Sequence, residues 1–407
     1  MALQQQSFIS LFSGAGGLDL GLERSGWTGL YSTDNNEDAV NTLKRNQGRR
    51  IRGGKFAEHA AIVRRDVRDI SASEILTAAG ATAGDIPLIV GGPPCQSWSS
   101  AGHQKGLDDP RGTLFHDFVR LADECGCRAI LFENVRGMLT ARGPEGEPGG
   151  ALGLIRSTLW ERGYYSAVAI MNAADFGVPQ RRVRLFILGF RDCAKPKFPE
   201  TTHQKIELDS FSFAKPWVPL STVLLSSESL KSNEWIRPSG KMAERLNGVQ
   251  PGHGIKSVGK SETTRPGGHW GYMQGGFVAD PSVPARTVTA SAQQDWIAQA
   301  DGSHRRLCPR ECAAIQSFPK NWVFVGNRVS QYRQIGNAVA PAIAAEFGPV
   351  LADALAGESH VESTFDPFIL PAHLQSSIDY TKHEEKRNGE SRRRAPKRRK
   401  AVAGGVM

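Results

Sequence analysis

Through the first 190 residues, short apolar runs rich in β-branched and aromatic side chains alternate with stretches of helical period. Few folds tolerate that rhythm. Runs near 8–12, 29–33, 61–65, 87–90, 128–132, 165–171 and 183–190 read as strands. The helices between them predict an α/β fold of βαβ units around a parallel sheet. A sheet of this kind presents its ligand sites at the carboxyl ends of its strands. Between about 193 and 284 the rhythm fails and Gly, Pro, Ser, Lys and Trp dominate, which predicts a second, smaller and irregular domain. From 285 the regular texture returns, with helix signals at 309–317 and, Ala-rich, from 340 to about 355. The expected division is therefore 1–192 and 285–360 for one domain, 193–284 for the other, and a tail from 361 to 407.

Charge is unevenly spread along the chain. The formal net charge is +9, but residues 381–407 hold ten Lys and Arg against three Glu, a net +7 that leaves +2 for the rest. The basic tail, polar and without period, is expected to be disordered from about 382, either a solvated end or a nonspecific phosphate-binding arm. No stretch reaches the ~18–20 consecutive apolar residues of a membrane span, and the first residues lack a signal-peptide pattern, so a cytoplasmic protein with no membrane partner is expected. The six cysteines have no disulfide rhythm, and Cys125-Gly126-Cys127 has no second pair for zinc. Reduced thiols and no metal are the expectation.

The chemistry-bearing residues fall at strand ends. Phe12-Ser13-Gly14-Ala15-Gly16-Gly17 follows the first strand and opens a helix, a turn that brings backbone amides close to a ligand. Asp34 ends the second strand, near the ~20-residue offset at which an acidic side chain takes a ribose hydroxyl. Asp66 ends the third and is either an adenine contact or a solvated carboxylate. Cys95 follows the fourth in Gly91-Gly92-Pro93-Pro94-Cys95, where two prolines fix the backbone; it is either a reactive thiol or a buried inert one. Glu133, in Phe132-Glu133-Asn134-Val135, stands at an apolar sheet edge that tends to raise a carboxylate pKa. Arg182 and Arg184, in Gln180-Arg181-Arg182-Val183-Arg184, alternate onto one face and need anionic or carbonyl partners.

Taken in order with Arg286-Thr287-Val288 and Gln334-Ile335-Gly336-Asn337-Ala338-Val339, these motifs make the chain resemble the DNA cytosine-5 methyltransferases from about Phe8 to Leu355. The resemblance implies a Rossmann-like S-adenosylmethionine-dependent methyltransferase sheet with a target-recognition domain at 193–284. It implies Cys95 as nucleophile at cytosine carbon 6, Glu133 at ring nitrogen 3 and the exocyclic amine, the Pro93 carbonyl at that amine, Arg184 at the ring carbonyl and Arg182 in support. For S-adenosylmethionine it implies Phe12, Gly14, Ala15, Gly16, Gly17, Leu18, Asp34, Asp66, Val67 and Asn337. Two departures stand out: Ser10 replaces an aspartate and Asn35 an aromatic found in some members. The stretch 106–113 looks like the family's mobile active-site loop.

Double-stranded DNA is the implied partner, read by a monomer with or without a restriction enzyme encoded nearby. Lys105 and Arg111 are candidates for phosphates, and Arg265, His269 and Trp270 for base contacts. Two other readings exist. A tRNA cytosine-5 methyltransferase of the same fold typically has a small recognition segment with a Cys-Phe-Thr signature, absent here. A catalytically silent DNA-binding scaffold has no need of an intact Cys95, Glu133 and Arg184.

Overall fold

A computed structural model describes residues 6–94, 114–193, 197–205, 214–255, 275–357, 366–367 and 369–394, with the side chains of the final helix described to residue 383. All seven predicted strands form: β1 (Ser7–Leu11), β2 (Thr28–Asp34), β3 (Ala61–Arg64), β4 (Leu88–Gly91), β5 (Ala129–Val135), β6 (Tyr165–Asn172) and β7 (Val183–Phe190). They build one sheet in the order β3-β2-β1-β4-β5-β7-β6. Helices α1 (Gly17–Arg24), α2 (Glu37–Asn46), α3 (Ala72–Ala79), α4 (Leu114–Glu124) and α5 (Gly150–Glu161) connect them. The order reverses between β1 and β4, the switch point where a crevice opens at the strand ends.

The sheet is mixed, which corrects the expectation of a parallel one. β7 runs antiparallel to both β5 and β6, while β1, β2, β3, β4 and β5 pair in parallel. The cause is the short link at 173–182. A parallel return needs a crossover of about a dozen residues or more, whereas this one turns back through a 3-10 turn at Ala173–Phe176 and a left-handed Gly177. Consequently the first residues of β7, not its last, share an edge with the ends of the parallel strands.

Both faces of the sheet are covered. Ile9, Leu11, Ile89, Ile130 and Phe132 enter a core with Ile75, Phe118 and Leu152 from α3, α4 and α5. Their alternating neighbours Phe8, Leu88, Val90, Leu131 and Phe186 pack against Leu18 and Leu22 of α1 and Phe347 and Leu351 from the C-terminal part. Each such side chain contributes ~1.5–3 kcal/mol relative to exposure.

Beyond β7 the described segments form short turns, the helix α6 (Lys241–Leu246), and an antiparallel pair of β8 (Trp296–Ala298) with β9 (His304–Arg306). Leu246, Val278 and Trp296 make a small core of their own. Then come α7 (Pro309–Ile315), α8 (Arg328–Asn337) and α9 (Pro341–Ala356). α9 returns to α1 so closely that a Cβ on Gly21 would sit 2.3 Å from the Ala344 Cβ and 2.5 Å from the Pro341 carbonyl. The C-terminal segment therefore closes back onto the first helix of the chain.

Within the tail, residues Ala372–Arg394 form a helix, α10, and Leu374 and Ile378 are buried in the core beside α5. This i, i+4 pair anchors one face ahead of the basic stretch from about 382.

α1 carries a buried acid, Glu23. Glu23 accepts from the Ala57 and Gly29 amides at 2.8 and 3.3 Å, and burial pushes its pKa up to about 8. Its folded pKa exceeds the unfolded value, so the folded state holds the extra proton and stability falls as pH rises from about 4.5 to about 8. In urea denaturation, Glu23→Gln is expected to gain stability relative to wild type across that window, by a few kcal/mol; a pH-independent difference would refute the assignment.

Candidate active site

A cavity of about 400 Å³ opens at the edge formed by the ends of β1, β2, β4 and β5 and the start of β7. Its wall includes Phe12, Gly14, Gly17, Leu18, Asp34, Asp66, Val67, Gly92, Pro93, Pro94, Glu133, Arg182, Arg184 and Asn337. Residues predicted from motifs spread over more than three hundred positions thus meet in one place.

The first turn has unusual backbone. Phe12 adopts φ 55°, in the left-handed region that costs a non-glycine residue of order 1–3 kcal/mol. Gly14 follows at φ 54°, and a Cβ added there would meet nothing within 4 Å, so this backbone faces open space. Gly16 behaves differently. A Cβ at Gly16 would collide with Leu43 at 2.7 Å, and neither Gly16 nor Ala15 lines the cavity. Both shape the turn from behind the cavity wall, with Gly16 capping α1.

Asp34 fixes the turn from the next strand. One of its carboxylate oxygens accepts from the Gly14 amide at 2.9 Å and the other from Asn36 at 2.8 Å. Burial raises its pKa, opposed by these same bonds. Asp66 is held differently: Arg68 grips both its oxygens at 2.9 and 2.6 Å and keeps its pKa below the ordinary carboxylate value. Beneath the turn, buried Asp19 accepts from Ser10 at 3.0 Å and Ser32 at 2.9 Å. Burial pushes the Asp19 pKa up to about 6. A hydroxyl at position 10 therefore neutralises nothing but adds a donor, where an aspartate would add a second buried charge.

At the other end of the cavity, Glu133 pairs with Arg184, Oε1 to Nε at 3.0 Å. The antiparallel register of β5 with β7 sets Val135 opposite Arg184, bringing the two side chains to one edge. Burial raises the Glu133 pKa, and the Arg184 and Arg182 charges oppose that rise. The acid strength of this carboxyl is thus set by burial working against two neighbouring cations. Gly92 passes so near that a Cβ there would lie 3.0 Å from Glu133 Oε2. Asn134 donates to the Pro93 carbonyl at 3.3 Å, fixing the loop that leads to Cys95.

Arg182 is a buried tie. Its guanidinium donates to the carbonyls of Val288, Gly336 and Ala338 at 3.1, 2.8 and 2.9 Å. Gln180 accepts from the Val288 amide at 2.7 Å and donates to Gln316 at 2.8 Å, and Gln316 donates to Ile335 at 2.7 Å. This network sets Asn337, the last residue of α8, at the cavity wall. Asn35, noted above as a departure, lines the cavity, and so do Arg333, Gln334 and Arg65, which were not singled out in the sequence. Gln334 lay inside a recognised motif, and its bond from Thr42 at 2.6 Å is a long-range contact that no local pattern announces.

Cys95 lies outside the described residues, as do Lys105, Arg111, Arg265, His269 and Trp270. The other cysteines, Cys125, Cys127, Cys193, Cys308 and Cys312, are all buried. Burial raises every one of their pKa values, to about 11 for Cys193 and about 12 for Cys125 and Cys308. None lines the cavity.

A doubly covered sheet with a ligand crevice at its switch point, a strained glycine turn and one antiparallel strand defines a Rossmann-like methyltransferase. Comparison with known proteins specifies which. Residues 6–351 match the model of the C-5 cytosine-specific DNA methylases, and the chain belongs to that family. It is 30% identical over 355 residues to the type II methyltransferase M.FnuDI of Fusobacterium nucleatum, covering 81% of this chain and 90% of that protein. It is 31% identical over 363 residues to M.MthTI of Methanothermobacter thermautotrophicus, covering 86% and 97%. Among solved structures, the Entamoeba histolytica methyltransferase EhMeth superposes with a TM-score of 0.59 at 17% identity over 85% of this chain and 98% of its own. A DNA modification methyltransferase from an E. coli prophage gives 0.57 at 21% identity over 86% and 99%. These structures share the fold. The chain is a DNA cytosine-5 methyltransferase.

Gly92→Ala tests the site's tolerance. The added methyl is expected to displace Glu133 and lower methyl transfer at least tenfold, while urea stability changes by less than ~1.5 kcal/mol. Unchanged transfer would show that Glu133 is not held by this contact.

Proposed function

We propose that Cys95, Glu133 and Arg184 act together on a cytosine flipped out of a specific duplex sequence. The observation that supports this best is the buried Glu133–Arg184 pair in a cavity whose wall also includes Pro94. Cys95 follows Pro94 directly in the sequence. The remaining thiols are buried and hard to ionise.

Flipping the base costs a few kcal/mol and exposes its pairing edge. In this reading the Cys95 thiolate adds to carbon 6. Glu133 hydrogen-bonds ring nitrogen 3 and the exocyclic amine and supplies a proton to the ring as negative charge builds there. The Pro93 carbonyl accepts from the same amine. Arg184 holds the ring carbonyl oxygen and, with its charge, limits how far burial raises the Glu133 pKa. Arg182 acts through the backbone carbonyls it ties. Carbon 5 becomes nucleophilic, and after methylation it loses its proton as Cys95 leaves by elimination.

The other half of the cavity suits S-adenosylmethionine, which supplies an electrophilic methyl group. Open space at Gly14 admits a ligand against the backbone, and Phe12, Leu18 and Val67 offer apolar wall. Each Asp34 oxygen holds one backbone amide and keeps capacity for a ribose hydroxyl. Asp66 serves adenine only if it keeps an oxygen lone pair beside Arg68, and Asn337 stands at the methionine end. In the same reading, residues 193–284 recognise the target, with Arg265, His269 and Trp270 at bases and Lys105 and Arg111 at phosphates. The enzyme works as a cytoplasmic monomer and, like its type II relatives, protects DNA in a restriction-modification setting.

Cys95→Ser is expected to abolish transfer of labelled methyl while leaving duplex binding intact; residual transfer above a tenth of wild type would exclude the covalent role. Glu133→Gln should lower the rate at least a hundredfold with cofactor affinity unchanged, since a carboxamide is far too weak an acid to protonate the ring. A loss of cofactor affinity instead would move Glu133 out of the base pocket.

A further inference from the structure

A second cavity, of about 270 Å³, lies in the smaller layer between α6, β8, β9 and the start of α8. Its wall holds Arg237, Arg306 and Arg328 with Trp296, Tyr332 and Met242, and no carboxylate. Three guanidinium groups facing one space repel each other unless an anion joins them. Two acids outside the wall offset part of this charge, Asp295 acting on Arg306 and Asp301 on Arg237, although Asp295 also pairs with Arg286 at 3.6 Å and Asp301 accepts from Ser303 at 2.7 Å.

The arginines are preorganised. Arg306 lies over the Trp296 ring, 4.1 Å from its centroid, and Arg237 over Trp235 at 5.4 Å. Stacking holds a guanidinium flat and leaves its edge donors free for a phosphate. Arg306 gives Nη1 to the Ala292 carbonyl at 3.1 Å, while its buried Nε has no partner. Burial lowers the Arg306 pKa, so the position disfavours the charge it carries. A ligand that met this donor would remove the cost of leaving it unpaired.

Position connects this cavity to the reaction. Trp296 donates to the Gly275 carbonyl at 2.7 Å, so the wall adjoins the chain leaving the 256–274 segment. α8 starts at the wall with Arg328 and Tyr332 and ends at Asn337 in the catalytic cavity. At about 1.5 Å per residue the two ends stand roughly 14 Å apart, the reach of a few nucleotides.

We infer that Arg237, Arg306 and Arg328 form a seat for one backbone phosphate of the bound duplex, fixing the DNA at a set distance from the flipped base. The inference rests on duplex DNA as substrate.

Arg237 and Arg328 are exposed, so the variant R237Q/R328Q spares the packed Arg306. Its duplex affinity is measured against salt concentration, using the target located by bisulfite sequencing. The slope of log K against log salt is expected to shrink by about 0.9, the value for one neutralised phosphate, with target discrimination retained. A set of duplexes, each with a single methylphosphonate, then gives the position. Wild type should lose affinity at one particular phosphate, and the variant should show no further loss there. Equal slopes, or equal losses at every position, would overturn the seat. So would inorganic phosphate raising the Tm of wild type but not of the variant while both bind duplex with the same slope, since the cavity then holds a free anion. If wild type neither binds nor methylates duplex, the substrate reading fails instead, and the two failures are distinct.

Discussion

The catalytic cavity exists because a buried arginine holds two distant parts of the chain together. Arg182 enters from the start of β7 and binds the Val288, Gly336 and Ala338 carbonyls, with Gln180 and Gln316 completing the bracket. Burying a guanidinium is costly unless its donors are met. Here the Val288, Gly336 and Ala338 carbonyls meet both terminal nitrogens, while Nε has no partner, and the last two carbonyls seat the end of α8 against the sheet. Asn337 and Arg333 reach the cavity only in that position. The close approach of α9 to Gly21 is the apolar counterpart of the same closure.

The antiparallel β7 gives this bracket its catalytic meaning. A parallel strand would present Arg182 and Arg184 at the opposite edge of the sheet. The short turn after β6 reverses the chain, and Arg184 arrives beside Glu133. One carboxyl, raised by burial and restrained by two cations, then stands near the loop leading to Cys95. Fold topology and acid strength are thus set by the same short connection.

The strands were legible because their apolar runs are local and end in recognisable turns. Their direction was not, since it depends on the length of one link and on which neighbours the strand finds. α8 escaped notice because its sequence is polar and it is held by distant partners, such as Tyr332 donating to Leu307 at 2.7 Å. α10 looked like a solvated tail because only Leu374 and Ile378 reveal its buried face. At the site, Glu133, Asp34 and Asn337 could be found from motifs. The packing of Gly16 against Leu43 could not, because a glycine facing open space and one packed against a neighbouring side chain read alike. The arginine cavity was equally hidden, as its members come from three separated segments.

The most direct test is a duplex with 5-fluorocytosine at the target position, incubated with the enzyme and S-adenosylmethionine. Fluorine cannot leave carbon 5 as a proton, so elimination stops and the protein should remain attached through denaturation, with the attachment mapping to Cys95. No adduct on a duplex that is otherwise methylated, or an adduct at another cysteine, would contradict the account.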